Sequence, residues 1–425
     1  MRRQIATAAV AAACLIGSAQ AQSGEPAPAT GASAEAAPDD VAHQPPGAPI
    51  EYFPLEAPEG LSSAVAVERR ALVHTRQLLP VDRGGAVVGK DSLEAQADQA
   101  LDNLEAVLRA SGSSLAGLVR LNVCALEPEA VEAVRGRLVR RLDPAVRPAL
   151  SAVLTPLAHR DARLALDAVA VCQREANGVS LIRCETLGGE TDAADAAVLP
   201  PGGVAYLSGM PAEGGLTVSA VERSMSALCR TLAELNLSPS HVVQLRVFLR
   251  PAAGASEVVG SLKKFFPDQQ LPPVVFVEWL APPPVEIELI AELPGGYDPA
   301  RPIEYYNPAD VRPLQIFSRV ALVRAPRQIY TSSIVARKPA AGQAQALDVF
   351  DQLQTILAAA GGDLRHLAKA TYYVSDDDSA RGVDRARLWR FDQDRPPAAS
   401  KVMVHGVGWR QRGVSLDMIA APARQ

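Results

Sequence analysis

The chain is poor in aromatic residues and histidine, and these shortages narrow the classes of protein to which it can belong. Only 4% of its 425 residues are aromatic, and only six are histidine. It contains no Cys/His cluster with metal-ligand spacing, no phosphate-binding loop, no dinucleotide fingerprint and no nucleophile elbow. We therefore expect neither a metal nor a cofactor. Apolar residues make up 48% of the chain, so aliphatic packing must supply most of its core.

Cysteine is also scarce, with five residues in the whole sequence. Cys14 lies in an apolar N-terminal run, and the other four are Cys124, Cys172, Cys184 and Cys229. Four cysteines in a chain of this length do not make a disulfide framework. Cys172 and Cys184 flank a junction between two segments, where they could pair in an oxidising compartment or remain free.

Basic runs and long apolar runs are absent as well. The net charge of −5, without a basic or aromatic-rich patch, argues against a nucleic-acid partner. The apolar run from Ile5 to Ile16 is too short for a membrane span. It follows Arg2 and Arg3 and precedes small residues up to Ala21, which predicts a signal peptide over 1–21 and a periplasmic location. A retained anchor or a lipoprotein site fits less well. Residues 22–50 predict a disordered Ala/Pro-rich tether.

A repeated pattern begins near residue 51. Helical periodicity recurs three times, and the equivalent residues Leu104, Leu228 and Leu353 are 124 and 125 positions apart. The prolines that precede a later strand, Pro148, Pro272 and Pro397, have the same spacing. Two independent landmarks with one spacing predict three tandem copies. We call them unit 1 (51–173), unit 2 (178–296) and unit 3 (302–425).

Each unit is predicted to run strand–strand–helix–strand–helix–strand–strand. The first helix of unit 1 is expected over 92–112, with Asp91 and Glu94 at capping-box spacing. The strands after the first helices are expected at 118–126, 242–249 and 368–374. The second helices are expected at about 128–142, 254–266 and 379–391. The fold class is therefore α+β, with each unit a mixed sheet carrying two helices on one face.

Three segments carry short motifs, namely Gln96 to Leu104 in a predicted helix, Leu207 to Pro211 at a strand end and Val285 to Ala291 in a terminal strand. These segments resemble the Rid (YjgF-like, endoribonuclease L-PSP) family of imine deaminases, and the first is similar to the family's Q-(x)2-QAL-x-NL pattern. Leu207 to Pro211 is similar to its V-S-G-Q-x-P strand end, and Val285 to Ala291 to its V-E-I-E-x-I-A terminal strand. The resemblance implies a chorismate-mutase-like fold and trimeric assembly, with ligand clefts between neighbours. We therefore expect one chain to act as a monomeric pseudo-trimer that holds a small-molecule ligand in clefts between its domains.

The resemblance also implies a chemistry in which an arginine in a P-A-R-S segment holds the substrate carboxylate. The corresponding positions here are all apolar, namely Leu150, Val274 and Ala399. An aliphatic group cannot replace a guanidinium that donates two hydrogen bonds. Nearby Arg147 and Arg395 could swing in, although the spacing places Arg147 on another strand face or at the strand mouth.

The family's acid on the last strand has counterparts here. They are the tentative catalytic residues Asp167, Glu288 and Asp417, which could handle water or could pair with a Lys or Arg across a domain junction. The tentative ligand-binding residues are Ser208, Gly209, Ser332 and Ser333, which could hold an anion or form a plain turn. His74 and His405 are expected to be structural.

Three functions follow from these expectations. The first is an exported, divergent Rid-type protein that binds a small ligand and has lost or altered the deaminase activity. The second is an active imine or enamine deaminase with a changed substrate. The third is a non-catalytic scaffold, which closed and fully packed clefts would favour.

Overall fold

The computed structural model describes residues 49–68, 70–187, 192–212, 218–267, 269–309 and 314–423. The predicted signal peptide over 1–21 and all but the last two residues of the predicted tether lie outside these ranges. All described residues belong to one compact unit. They form a mixed α+β fold with three sheets and six α-helices. No helix among the described residues is long and apolar enough to cross a membrane.

Within unit 1 and its immediate N-terminal flank, the chain forms six strands and two helices. They are β1 (Ile50–Phe53), β2 (Ala64–Glu68), β3 (Ala71–Thr75), α1 (Leu93–Ala110), β4 (Leu118–Ala125), α2 (Pro128–Arg141), β5 (Ala149–Leu154) and β6 (Leu164–Cys172). Helix α1 begins after Ser92, whose Oγ accepts a hydrogen bond from the Ala95 N–H at 3.2 Å. The N-cap is therefore Ser92 rather than Asp91, and the leucines at 101, 104 and 108 are buried as the periodicity predicts.

Unit 2 repeats this order of elements, and unit 3 does so with one additional short strand before its first helix. Unit 2 contains β7 (Ser180–Ile182), β8 (Ala196–Leu199), β9 (Gly203–Ala212), α3 (Val218–Glu234), β10 (Val242–Leu249), α4 (Ala255–Leu262), β11 (Val274–Glu278) and β12 (Val285–Leu293). Unit 3 contains β13 (Ile303–Tyr306), β14 (Val320–Val323), β15 (Arg327–Thr331), β16 (Ile334–Val335), α5 (Gly342–Ala359), β17 (Gly362–Val374), α6 (Asp377–Arg390), β18 (Ala398–Met403) and β19 (Val414–Pro422).

The sheets do not follow the predicted domain boundaries, because each combines strands from two units. Their strand orders are β5-β4-β6-β3-β8-β7, β11-β10-β12-β9-β14-β13 and β1-β2-β15-β19-β17-β18, with β16 also pairing with β19. The first two strands of each unit thus form a hairpin on the edge of another unit's sheet. Unit 2 extends the sheet of unit 1, unit 3 extends that of unit 2, and unit 1 extends that of unit 3.

The apolar core follows the same arrangement. Three clusters each pack two helices against one sheet. Two further clusters lie between the sheets and combine all three units, one around Val119, Val243 and Ala368 and the other around Cys124, Phe248 and Tyr373. The central strands β4, β10 and β17 pass from the first of these clusters to the second. Their intervening side chains are polar, so a charged layer lies between two apolar ones.

Candidate functional site

The three predicted acids lie in this charged layer. Asp167, Glu288 and Asp417 are at most 5% exposed. Each faces a basic side chain from another unit, and the nitrogen–oxygen pairs are Asp167 with Arg246 (3.5 Å), Glu288 with Lys369 (2.6 Å) and Asp417 with Arg120 (3.4 Å). The acid of each unit thus pairs with the base of the next unit in chain order, and unit 3 pairs with unit 1. This is the cross-junction ion pairing that the sequence left open beside catalysis.

Within each sheet, strand register places a polar side chain opposite each acid. On neighbouring strands Asn122 stands opposite Asp167, and its Nδ2 donates to the Asp167 carboxylate at 2.6 Å. Arg246 stands opposite Glu288 in its own sheet but pairs across the junction with Asp167. Arginine and lysine within otherwise apolar strands were the signal for this layer, although the sequence gives no indication of their partners.

The electrostatics differ between two of the acids. Burial raises the pKa of Asp167, and this effect exceeds the lowering by Arg246 and Asn122. Burial also acts to raise the pKa of Glu288, but Lys369 and Arg246 outweigh it, so the pKa lies below its usual range. Ser400 Oγ donates a further hydrogen bond to Glu288. Glu288 is therefore an ionised carboxylate whose Oε2 accepts hydrogen bonds from Lys369 and Ser400, and it is poorly suited to take a proton from water.

A cavity of about 30 Å³ lies beside these pairs, and His74 lines it together with Arg120, Arg246 and Glu288. In the described part of the chain, neither ring nitrogen of His74 has a hydrogen-bond partner. Burial, followed by Arg120 and Arg246, lowers the pKa of His74 to about 3, so the ring is neutral. This volume suits roughly two water molecules, whereas a ligand pocket needs about 300 Å³ or more. This cavity, as the described residues form it, therefore has no room for an organic substrate.

The positions that lack the family's arginine lie at the junctions between units. Leu150, Val274 and Ala399 are buried on β5, β11 and β18. Each of these strands contacts the end of an early strand of another unit. We call each contact a junction and name it after the two units that it joins. Gln77 meets Val274 at the 1–2 junction, Ser208 meets Ala399 at the 2–3 junction, and Ser332 meets Leu150 at the 3–1 junction.

All four predicted ligand-binding residues form hydrogen bonds with neighbouring backbone or side-chain groups. Ser208 Oγ donates to the Ser318 carbonyl at 2.6 Å and accepts from the Ala399 N–H at 2.8 Å. The Gly209 N–H donates to Ser400 Oγ at 3.2 Å. At the 3–1 junction, Ser332 Oγ accepts from the Leu150 N–H at 2.8 Å, and the Ser333 N–H donates to the Leu150 carbonyl at 3.0 Å. These groups join the units, and in this structure they are not free to hold an anion.

Neither Arg147 nor Arg395 reaches the positions at which the family's arginine is missing. Arg147 is partly exposed and donates to the Pro144 carbonyl at 3.4 Å. Arg395 donates to the Arg365 carbonyl, with its guanidinium 5.5 Å from the centre of the Tyr305 ring. Both side chains are thus held on the surface by local contacts.

The 1–2 junction is closed by an ion pair. Arg76 Nε lies 2.8 Å from Asp195, and the Arg76 N–H donates to the Asp195 carbonyl at 3.0 Å. The Gln77 N–H donates to the Val274 carbonyl at 3.0 Å, and its side chain donates to the Phe276 carbonyl at 2.9 Å. Backbone and side chains together therefore fill this junction.

The 2–3 junction has the same backbone contact but different side chains. The Ser208 N–H donates to the Arg319 carbonyl at 2.9 Å, so Arg319 stands where Asp195 stands at the 1–2 junction. Its guanidinium lies 5.1 Å from the centre of the Phe317 ring and 3.9 Å from Met210 Sδ. Burial lowers the pKa of Arg319. No carboxylate in the described ranges lies within ion-pair distance of this guanidinium.

Glu286 lies beside Arg319, and sequence reasoning missed both residues as site candidates. Its side chain is buried over Gly209, where a Cβ atom would overlap the carboxylate. Burial, followed by repulsion from Glu288, raises the pKa of Glu286 to about 7. A carboxyl group that titrates near neutral pH is suited to both donating and accepting a proton. The first Glu of the Val285–Ala291 motif was the available signal.

The described cysteines are all free. Cys172 Sγ lies 3.1 Å from the Ser111 carbonyl oxygen, and Cys184 Sγ lies 3.1 Å from Thr186 Oγ1. The two thiols that could have paired therefore each contact a different neighbour. The described ranges also contain no group of three or more His, Cys, Asp or Glu side chains arranged to hold a metal ion.

Comparison with known proteins identifies part of the chain. Residues 55–172 match the model of the family described as endoribonuclease L-PSP. The chain therefore carries a Rid-family (YjgF-like) domain in unit 1. The assignment of units 2 and 3 to this family remains a prediction from their sequence patterns. No curated protein matches the chain.

Solved structures of this family resemble parts of the chain. A Rid-family protein, YyfB, from Yersinia pestis is 27% identical, with 29% of this chain and 99% of that one covered and a TM-score of 0.25. A YjgF-family protein from Neisseria meningitidis is 19% identical, with 29% and 97% covered and a TM-score of 0.23. RidA from an Antarctic Psychrobacter is 22% identical, with 22% and 80% covered and a TM-score of 0.20.

Proposed function

We propose that this protein is an exported, divergent Rid-type pseudo-trimer that has lost the standard hydrolysis of 2-imino acids and binds a small ligand at its 2–3 junction. Support for the pseudo-trimer comes from the hairpins, because each unit supplies two strands to another unit's sheet and unit 1 completes that of unit 3. A chain that satisfies all its own junctions needs no second copy to cover them.

The single observation that carries the loss of activity is the pairing of Asp167, Glu288 and Asp417 with bases from other units. A carboxylate that neutralises a buried cation is needed for stability, since removing it leaves an uncompensated charge. The cavity beside the acids also has no room for an imino acid. These acids therefore act as structural links between units.

A ligand site at one junction is supported by the contrast among the three. Arg76 and Asp195 pair across the 1–2 junction, and serine hydrogen bonds close the 3–1 junction around Leu150. At the 2–3 junction, Glu286, whose pKa burial raises to about 7, interacts electrostatically with Arg319, which is within ion-pair distance of no carboxylate in the described ranges. We place ligand binding there for this reason.

An altered deaminase is the second candidate, and Glu286 is the observation that favours it. A carboxyl group with a pKa of about 7 could deliver and remove the protons that imine hydrolysis requires. The scaffold alternative is favoured by the closed 1–2 and 3–1 junctions. It predicts that no small molecule binds anywhere in the molecule.

Freshly generated 2-iminopropanoate tests the loss of activity, with ammonia release as the readout. We expect the protein to leave the spontaneous rate unchanged. Turnover that survives Glu288→Gln but not Glu286→Gln would favour the altered deaminase. Turnover abolished by Glu288→Gln alone would contradict our assignment of the central acids as structural.

Export is tested separately by mass spectrometry of the mature protein. Cleavage after Ala21 should leave Gln22 as the first residue of protein recovered from the periplasm. An intact N-terminus in the cytoplasmic fraction would contradict export without affecting the argument about the junctions.

A further inference from the structure

We propose that the buried cavity beside His74 is a binding site for one halide ion, such as chloride, held by the Arg120 and Arg246 guanidinium groups and by the N–H of His74. Neither Glu286 nor Arg319 lines this cavity, so the inference does not depend on ligand binding at the 2–3 junction. The volume of about 30 Å³ excludes an organic molecule but admits a monatomic ion, which needs little more room than a water molecule.

Several polar groups of the cavity lining are buried without a hydrogen-bond partner. In the described part of the chain, these groups include the Nε atoms of Arg120 and Arg246 and both ring nitrogens of His74. The three residues are at most 8% exposed, so solvent at the molecular surface does not satisfy them. A guanidinium N–H can only donate, and it therefore requires an acceptor. Asn122 Oδ1 is also unpartnered, but it is a single neutral acceptor for these donors.

The local charge favours an anion over a neutral acceptor. The guanidinium–carboxylate contacts are long, at 3.4 Å between Arg120 and Asp417 and 3.5 Å between Arg246 and Asp167. Both exceed the roughly 2.7–2.9 Å of a strong charge-assisted hydrogen bond, so the acids neutralise the arginines incompletely. Burial, followed by Arg120 and Arg246, lowers the pKa of His74 to about 3. The two guanidinium groups that oppose a proton on this ring favour a negative charge beside it.

Two carboxylates in the lining limit the affinity. Glu288 and Asp417 both face the cavity and repel an anion. Each is opposed by a cation, since Glu288 accepts a hydrogen bond from Lys369 at 2.6 Å and Asp417 pairs with Arg120. The arginines therefore hold the ion through their local field and not through a net positive charge of the layer. We accordingly expect a dissociation constant for chloride in the millimolar range.

The position of His74 differs among the three units, which predicts a single site in each chain. Its equivalents are Tyr206 and Tyr330, because each of the three pairs with the residue two positions after the acid of its own unit. Both tyrosine hydroxyl groups donate to Gln328, at 2.6 and 3.3 Å. Among these three equivalent residues, His74 is the one without a described partner, so its N–H can donate to an ion.

The dependence of thermal unfolding on chloride tests the site in solution. Sodium gluconate is replaced stepwise by sodium chloride at constant total concentration, since gluconate is too large for the cavity. An ion that binds only the folded protein should raise the unfolding midpoint by about 2 °C for each tenfold increase above its dissociation constant in a chain of this size. A midpoint that does not change in the wild type would overturn the proposal.

His74→Leu removes the ring without breaking a described side-chain hydrogen bond, so the variant should fold. It places apolar atoms against the ion, and we expect its unfolding midpoint to be independent of chloride. His405→Leu is the matched control, because His405 is exposed and lies 3.1 Å from Glu278, away from the cavity. This control should retain the dependence of the wild type. Equal chloride dependence in the wild type and His74→Leu would overturn the proposal, since the effect would then arise elsewhere.

Bromide locates the ion directly and keeps the proposal testable if His74→Leu does not fold. In wild-type crystals soaked in sodium bromide, we expect one anomalous peak per chain in this cavity, beside the nitrogens of His74, Arg120 and Arg246. The absence of a peak there would overturn the proposal. A peak without chloride dependence in solution would mean binding at crystal concentration only, which would also contradict it.

Discussion

The 1–2 and 2–3 junctions are built on the same backbone contact and differ in the charges placed beside it. At the 1–2 junction, Arg76 and Asp195 neutralise each other across the interface. At the 2–3 junction, Glu286 is buried and its pKa is raised to about 7, and Arg319 has no described ion-pair partner. Joining the copies in one chain thus lets the charges at each junction diverge separately.

The largest effect is expected from the buried pair of Glu288 and Lys369, which joins units 2 and 3. Lys369→Met leaves Glu288 charged and buried, and should lower the free energy of unfolding by about 3–5 kcal/mol in urea denaturation. Replacing Glu288 by Leu in the same chain should recover most of this loss. Lys264→Met, which breaks the exposed pair with Glu222, should cost less than about 1 kcal/mol. Equal costs for the two lysines would show that Glu288 is not buried as described.

The titration of Glu286 should produce the next largest effect. Because the pKa of the folded state is raised to about 7, its contribution to stability is fully present below pH 4.5 and is lost as the pH rises through 7. The stability of the wild type relative to Glu286→Gln should therefore fall by about 3 kcal/mol between pH 4.5 and pH 8. The effect of Asp167 cancels in this comparison because both proteins contain it. A difference that does not change with pH would mean that Glu286 is solvated.

Gly209 provides a smaller, steric test of the same junction. Gly209→Ala forces the Glu286 carboxylate aside and should cost about 1–3 kcal/mol. Gly260→Ala is the control, since no atom lies within 4 Å of its added Cβ and the position is helical. That change should stabilise the protein by up to about 1 kcal/mol. Destabilisation by both substitutions would indicate a general intolerance of side chains at glycine.

The smallest effect is expected at the 1–2 junction. Arg76→Met removes one partner of Asp195, which keeps the Cys184 N–H and a distant contact with Arg183, so the cost should be about 1 kcal/mol. A cost as large as that of Lys369→Met would contradict this ranking.

Local features of the fold follow from the sequence because they depend on neighbouring residues. The strand at Val242–Leu249 is confirmed at both ends, and α1 spans 93–110 where 92–112 was expected. The hairpin exchange was not predictable from local pattern. Strand β2 ends at Glu68 and β3 begins at Ala71. The same local sequence would fit a tight hairpin between these two strands or the observed arrangement, in which they join different sheets. Which sheet edge a strand joins depends on packing among residues more than a hundred positions apart.

The candidate site was only partly accessible for the same reason. The acids at 167, 288 and 417 could be located from the terminal-strand motif, and their pairing with a base was one of two stated outcomes. The bases themselves lie 79 to 297 positions away in the sequence. Arg319 was missed because it belongs to no motif, and its importance arises only from the junction that brings it beside Glu286.

The mass and amide exchange of the protein across a range of concentrations test most directly whether one chain closes all three junctions. We predict the light-scattering mass of a single chain, with slow exchange in β2 and β15 that does not change on dilution. A mass of several chains, or protection of these two strands that disappears on dilution, would show that the hairpins pair between molecules and would contradict the account.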